Sequence, residues 1–178
     1  MPRGGLARPQ LRFALAFGLV AATLFFVYSY PYADGSRAKQ LSDAYLCAYA
    51  RMAGWALSLF EHHVVVTGQN IVGRYSLRIV RGCDAVDAQI LLLSAVVASH
   101  VHTWRWRVVG ALAGTALIAI ANVARICSLY YVGLFFPGSF DFCHHELWPL
   151  LLVALAAGAF VAWSRADLGA GRGRRAVA

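Results

Sequence analysis

Three short stretches carry side chains able to do covalent chemistry: Arg78-Ile-Val-Arg-Gly-Cys-Asp84, Ala121-Asn-Val-Ala-Arg-Ile-Cys127 and Phe142-Cys-His-His-Glu-Leu-Trp148. A cysteine is an effective nucleophile when its thiolate is accessible, and a nearby histidine or the positive end of a helix supplies that condition. Cys83 precedes an apolar run by a few residues, where backbone donors and the helix dipole favour an anion. His144 suits a base that takes the thiol proton and then an acid that returns it to an amine leaving group. Arg125 cannot act as a base, but its guanidinium offers fixed hydrogen bonds to an oxyanion or a substrate carboxylate. These residue types point to acyl transfer on a peptide. Two other readings stay open from the residues alone: a transport or channel-like protein with one internal ionisable residue, and a non-catalytic scaffold in which Arg125 binds an anion or a partner helix.

Arg125 needs an explanation because it lies well inside the apolar run Val108 to Phe136. At the centre of a membrane helix an arginine costs about 2.5 to 3.5 kcal/mol on insertion scales, and less near an edge where it can snorkel. The plain alternative to a functional site is that Arg125 marks where the helix leaves the bilayer.

The elements that position these groups are membrane helices. Of 178 residues, 60% are hydrophobic and 13% charged, against roughly 25% charged in soluble domains. A domain this small cannot bury so much apolar surface, so the surplus faces lipid or a partner. The net charge is +8, but the bases cluster at the ends of apolar runs, which is the pattern that orients membrane helices and speaks against nucleic-acid binding. The expected fold is an all-α polytopic membrane protein with about four spans, near 13–30, 86–101, 108–134 and 146–163, and an extracytoplasmic region over 31–84. The whole chain, 1–178, reads as one membrane domain. The first run, Phe13 to Tyr30, covers about 27 Å, close to the hydrocarbon thickness, and reads as a retained anchor rather than a cleaved signal peptide.

Between the first two spans, Ser42 to Phe60 places Leu46, Tyr49, Ala53, Ala56, Leu57 and Phe60 on roughly one helical face, as in an amphipathic helix lying against the membrane or the bundle. The stretch His63 to Ile79 predicts a β-hairpin with Gly68 and Asn70 at its turn. Pro137 to His145 reads as a tight connection, and the Gly-rich segment after Trp163 as a disordered tail.

Charge fixes the orientation. Arg3, Arg8 and Arg12, then Arg105 and Arg107, then Arg165, Arg172, Arg174 and Arg175 fall on one side of four spans, with Asp167 the only acid among those segments. The positive-inside rule makes that side cytoplasmic. Cys83, the Arg125 end of the third span and the histidine pair then share the opposite face. Arg125 follows Arg107 by eighteen residues, about 27 Å of helix, which is near the outer boundary.

The remaining polar residues have plainer readings. Cys47, Cys83, Cys127 and Cys143 have no CxxC spacing and no metal-ligand pattern, so neither a metal nor a cofactor is expected. Cys127 reads as a packing residue, and Cys143 as a lipid-facing group or a disulfide partner of Cys47. Asp84 and Asp87 read as helix caps, with pairing to Arg81 or Arg125 as an alternative. Tyr130 and Tyr131 fit an outer interfacial belt.

In order along the chain, Gly82-Cys83, Asn122-Val-Ala-Arg-Ile126 and the histidine with Trp148 four positions on resemble the signature of the exosortase and archaeosortase family. The run from Asn122 to Pro137 is most similar to the compact exosortase H type. The similarity covers roughly Arg81 to Trp163. It implies a multi-pass cysteine peptidase or transpeptidase of the bacterial inner membrane, active at its outer face on exported proteins that carry a carboxyl-terminal motif, an apolar helix and a basic tail. It makes Cys83 the nucleophile, with Arg125 and His144 as partners and His145, Asn122 and Asp84 as possible supporting residues. The acceptor for transfer is not implied. One departure is Asp84-Ala85, where the family usually has asparagine and glycine after the cysteine.

Overall fold

The computed structural model describes residues 8–99 and 103–175, with side chains as far as Ala166. It is a largely helical membrane protein with one small sheet. In chain order come α1 (Arg8–Ser29), α2 (Arg37–Ser58), β1 (Val65–Thr67), β2 (Asn70–Val72), β3 (Ser76–Arg78), α3 (Val86–Ala98) and α4 (Trp104–Phe135). A 3-10 turn (Pro137–Ser139), a single α turn, α5 (Phe140–Phe142), and a π-helical segment (Cys143–Leu147) then lead into α6 (Trp148–Arg175). Among the described residues three segments are long and apolar enough to cross a membrane: Arg8–Ser29, Trp104–Phe135 and Pro137–Ala166. The remaining expected span, 86–101, contains a helix of only 13 residues, about 20 Å against a hydrocarbon core of about 30 Å. Residues 100–102, where that expected span ends, lie outside the described part, as do residues 1–7, with Arg3, and the side chains of Arg172, Arg174 and Arg175. The tail expected to be disordered instead continues as helix to Arg175, since extending a formed helix fixes one residue per hydrogen bond while starting one fixes several.

The chain forms two compact units. One gathers Pro31–Val86 with Leu117–Val153, and the other the described residues of Met1–Tyr30, Asp87–Ala116 and Ala154–Ala178. In the latter, glycines let helices approach closely. Gly110 lies under the Trp163 ring and Gly114 under Leu92, positions where a Cβ would collide. Trp163 also donates from Nε1 to the Trp106 carbonyl at 3.2 Å, which satisfies an indole N–H where water is scarce.

The other unit carries the sheet and all the residues singled out for chemistry. Its helix α2 starts at the Ser36 cap, whose Oγ accepts the Lys39 N–H at 3.2 Å. Leu46, Tyr49, Ala50, Ala53, Gly54 and Leu57 recur at helical spacing and are buried. That face joins Ile71, Ile79, Ile126 and Tyr130 in one apolar core, so it packs on the sheet and α4. On its polar side Asp43 accepts from Lys39 at 2.6 Å and from Gln69 at 3.1 Å, and the Lys39 ammonium holds this carboxyl below its usual pKa.

The expected hairpin is a three-stranded antiparallel sheet, ordered β1-β2-β3. Gly68, at φ +60°, and Gln69 make the first turn, while Asn70 is already paired with Thr67. The second run does not continue unbroken to Ile79, because Gly73, Arg74 and Tyr75 fold it back and pair Ile71 with Leu77. Gly73 is where Tyr130 of α4 comes down, and Tyr75 in turn lies over Gly133, so each tyrosine covers the other element's glycine. The Tyr75 N–H donates to Tyr130 Oη at 3.2 Å. Tyr130, expected in an interfacial belt, is therefore fully buried.

Candidate active site

Cys83 is presented by a tight turn. Its N–H donates to the Val80 carbonyl at 2.9 Å, and Gly82, at the third position of that turn, has φ +89°. These are the marks of a type II turn, which wants glycine there because a Cβ strains that conformation. Arg81, at the second position, donates to Ser42 Oγ at 3.3 Å and lies over the Tyr32 ring at 5.2 Å, which ties the turn to α2 and to the segment after α1. Just beyond, buried Asp84 accepts the Val86 N–H at 3.5 Å, a local turn contact at the start of α3. Ala85 between them has φ +56°, a conformation that usually selects glycine.

Helix α4 holds this turn from the other side. Asn122, which has no exposed surface, donates from Nδ2 to the Cys83 carbonyl at 3.0 Å. Arg125, three residues later on the same face and 2% exposed, donates from Nη1 to the Gly82 carbonyl at 3.4 Å. Consecutive carbonyls of the turn are thus held by side chains one helical turn apart. Helix α4 runs on past Arg125 to Phe135, and the Arg125 side chain is buried rather than exposed.

The second nitrogen of Arg125 reaches the segment that carries the histidines. Nη2 donates to the main-chain carbonyl of His144 at 3.4 Å. That carbonyl is open because of Pro149. The Trp148 N–H bonds back to the Cys143 carbonyl, five residues away, and the next residue, Pro149, has no N–H to offer. The widened turn presents the His144 ring to the cysteine, with Nε2 3.9 Å from Cys83 Sγ. Phe140 stacks on that ring, centroids 5.6 Å apart and planes 13° from parallel. His145 meets the ring edge-on at 4.5 Å and is itself exposed. The buried Nδ1 of His144 has no hydrogen-bond partner among the described residues, so the ring is steadied by stacking rather than by a third polar group.

Cys83, Arg125 and His144 all line one cavity of about 250 Å³, together with Leu77 to Val80, Ile126, Leu129 and Phe140. A family model described as transmembrane exosortase matches residues 9–162. The chain belongs to the transmembrane exosortase family. Neither a curated protein nor a solved structure matches it.

Membership of the exosortase family fits a general role in processing sorting signals. In this exosortase chain the structure brings together Cys83, Arg125, Asn122 and His144, while it leaves His145 exposed at the edge of the His144 ring. The other cysteines are free thiols, and Cys127 points to the Ala53 carbonyl at 3.7 Å as a packing residue. Among the described residues no group of three or more histidine, cysteine or acidic side chains has the arrangement of a metal site. Two residues that shape the site escaped the sequence reading. Pro149 was visible as a helix breaker beside the histidines, and Phe140 as an aromatic four residues before His144, the spacing at which helical side chains meet.

Proposed function

We propose that the protein is a membrane cysteine peptidase or transpeptidase that processes carboxyl-terminal sorting signals of exported proteins at the outer face of the bacterial inner membrane. The observation that carries this reading is the contact of 3.9 Å between Cys83 Sγ and His144 Nε2, inside a cavity of the family's membrane fold. His144 takes the thiol proton, and the sulfur attacks the scissile carbonyl carbon to give a tetrahedral oxyanion. Arg125 lines the same cavity, so the developing negative charge meets a fixed guanidinium. As the C–N bond breaks, His144 returns the proton to the departing amine and leaves a thioester on Cys83. Water then releases a free acid and completes proteolysis, or an amine acceptor forms a new amide and completes transfer. In both cases the thiol is regenerated.

The substrate comprises a motif, an apolar helix and a basic tail. Its own helix confines it to the plane of the membrane, so weak recognition of a short motif suffices. The topology that serves this chemistry has four spans with both termini cytoplasmic, and the arginine distribution supports it. Reporter fusions after Arg12, Gly68, His102, Gly138 and Gly169 are expected to read inside, outside, inside, outside and inside, and a cytoplasmic signal at Gly68 removes the reading. The direct test co-expresses a sorting-signal substrate with wild type and with Cys83→Ala and weighs the substrate's new carboxyl end. An end that appears at the motif only with the wild type supports acyl transfer, and its mass separates free acid from attached acceptor. Equal processing by Cys83→Ala excludes it and leaves Arg125 as an anion or partner-helix site.

A further inference from the structure

The cavity beside Cys83 is bordered by four consecutive residues, Leu77, Arg78, Ile79 and Val80. Side chains alternate between faces along β3 and its continuation at Ile79, so a cavity touching Leu77, Arg78 and Ile79 in succession runs along the edge, and Val80 carries it into the turn that presents Cys83. The hydrogen-bond register identifies that edge. Ile79 donates to the Gln69 carbonyl at 2.9 Å and Gly73 to the Tyr75 carbonyl at 3.1 Å, while Ile71 lies opposite Leu77. Residues 77 and 79 therefore direct their main-chain groups toward β2, as does the Tyr75 carbonyl, and those of Ser76 and Arg78 point outward. Among the described residues these outward groups have no partner, and β3 is the last strand of its sheet. An unpaired strand edge is a template for another extended chain.

Resting on the proposed acyl-transfer reading, we infer that the substrate's motif binds as a fourth strand on the outer edge of β3, which carries its scissile carbonyl to Cys83. The main chain of Ser76 and Arg78 supplies the hydrogen bonds. The side chain that turns into the cavity meets Leu77, Ile126, Leu129 and Phe140 and is apolar. Recognition of this kind takes affinity from main-chain bonds and selectivity from every second side chain. It also holds the scissile peptide extended, the form in which its carbonyl stands clear of intrachain hydrogen bonds.

The test removes single outward N–H groups. Proline at position 76 or 78 deletes an outward donor and leaves the β2 ladder intact, which edge strands tolerate. Arg78→Ala loses the same side chain but keeps the N–H. Processing of a co-expressed substrate by Arg78→Pro is expected to fall at least tenfold below that by Arg78→Ala, with Ser76→Pro also reduced and Cys83 still labelled by a small maleimide. Equal processing by Arg78→Pro and Arg78→Ala overturns strand addition. Should the proline variants not accumulate, wild-type enzyme is given synthetic substrates in which one motif amide at a time is replaced by an ester. Losses at every second position are expected, and uniform or absent losses overturn the inference. Cys83→Ala runs alongside: if it processes the substrate, the acyl-transfer reading itself fails, whereas Cys83-dependent processing without the alternation sinks strand addition alone.

Discussion

Arg125 holds the main-chain carbonyl of His144, 3.4 Å from Nη2 to oxygen, and with Nη1 on Gly82 it bridges the backbones that carry the thiol and the imidazole. The distance between the two reacting groups thus depends on a planar fork with two fixed arms. A lysine ammonium is a point donor on a flexible stem and cannot span both carbonyls. Arg125→Lys is therefore expected to insert and accumulate but to process substrate at least a hundredfold more slowly, a barrier increase on the order of 3 kcal/mol. Rates from pulse-labelled substrate check this, and a variant within a few-fold of wild type refutes the bridge.

Pro149 is the reason that the His144 carbonyl is available. Pro149→Ala restores an N–H and lets the π-helical segment relax toward an ordinary helix, a local gain of up to about 3 kcal/mol. The protein is expected to be as stable as wild type or more so in detergent melts, while its processing falls at least tenfold because His144 no longer faces Cys83. Gain of stability with unchanged processing would show that the wide turn does not position the ring.

Asn122 gives an ordered series. Asn122→Leu leaves the Cys83 carbonyl without its donor from α4, which costs about 1 to 3 kcal/mol for a buried acceptor. It also removes the Asn122 Oδ1, which is buried without a hydrogen bond, so part of that cost is offset. Asn122→Asp sets an acceptor against an acceptor and gains nothing. Processing and melting temperature are both expected to rank wild type, then Leu, then Asp, and a reversal of the last two contradicts the contact.

The legible parts of the site were those whose chemistry is local. Cys83, Arg125 and His144 stand out by residue type, by their place in apolar sequence and by the spacing of the family signature. The choice of His144 over His145 rests on the family signature, which sets the histidine four positions before Trp148, while the turn that orients the ring is wider than an ideal helical one. What was hidden depended on partners far along the chain. The strand run from Ile71 to Ile79 alternates well enough to look continuous, and only the arrival of Tyr130 explains why it breaks at Gly73. Tyr130 itself looks interfacial until its partner Tyr75, 55 residues away, is known. The partners of Arg125 were hidden for the same reason, since the carbonyls that hold it come from two other segments.

Ala85 holds a left-handed conformation, φ +56°, which costs an L-residue roughly 1 to 2 kcal/mol, whereas glycine in its place loses about 0.5 to 1 kcal/mol through the unfolded chain. Ala85→Gly is therefore expected to be neutral to about 1 kcal/mol stabilising, with processing retained. Ala85→Val places a branched side chain in a conformation it resists and is expected to lower the melting temperature sharply. Thermal melts of the three proteins side by side decide the matter.

Tyr75 over Gly133 and Tyr130 over Gly73 also make a statement about ancestry. The Tyr75 ring and the hydroxyl end of Tyr130 occupy the space that a Cβ on the opposite element would need, so a larger residue at either glycine requires the facing tyrosine to shift. Among related chains, a larger residue at position 73 or 133 is expected where the facing tyrosine has shrunk, and a laboratory lineage started from Gly133→Ala would regain function first at position 75.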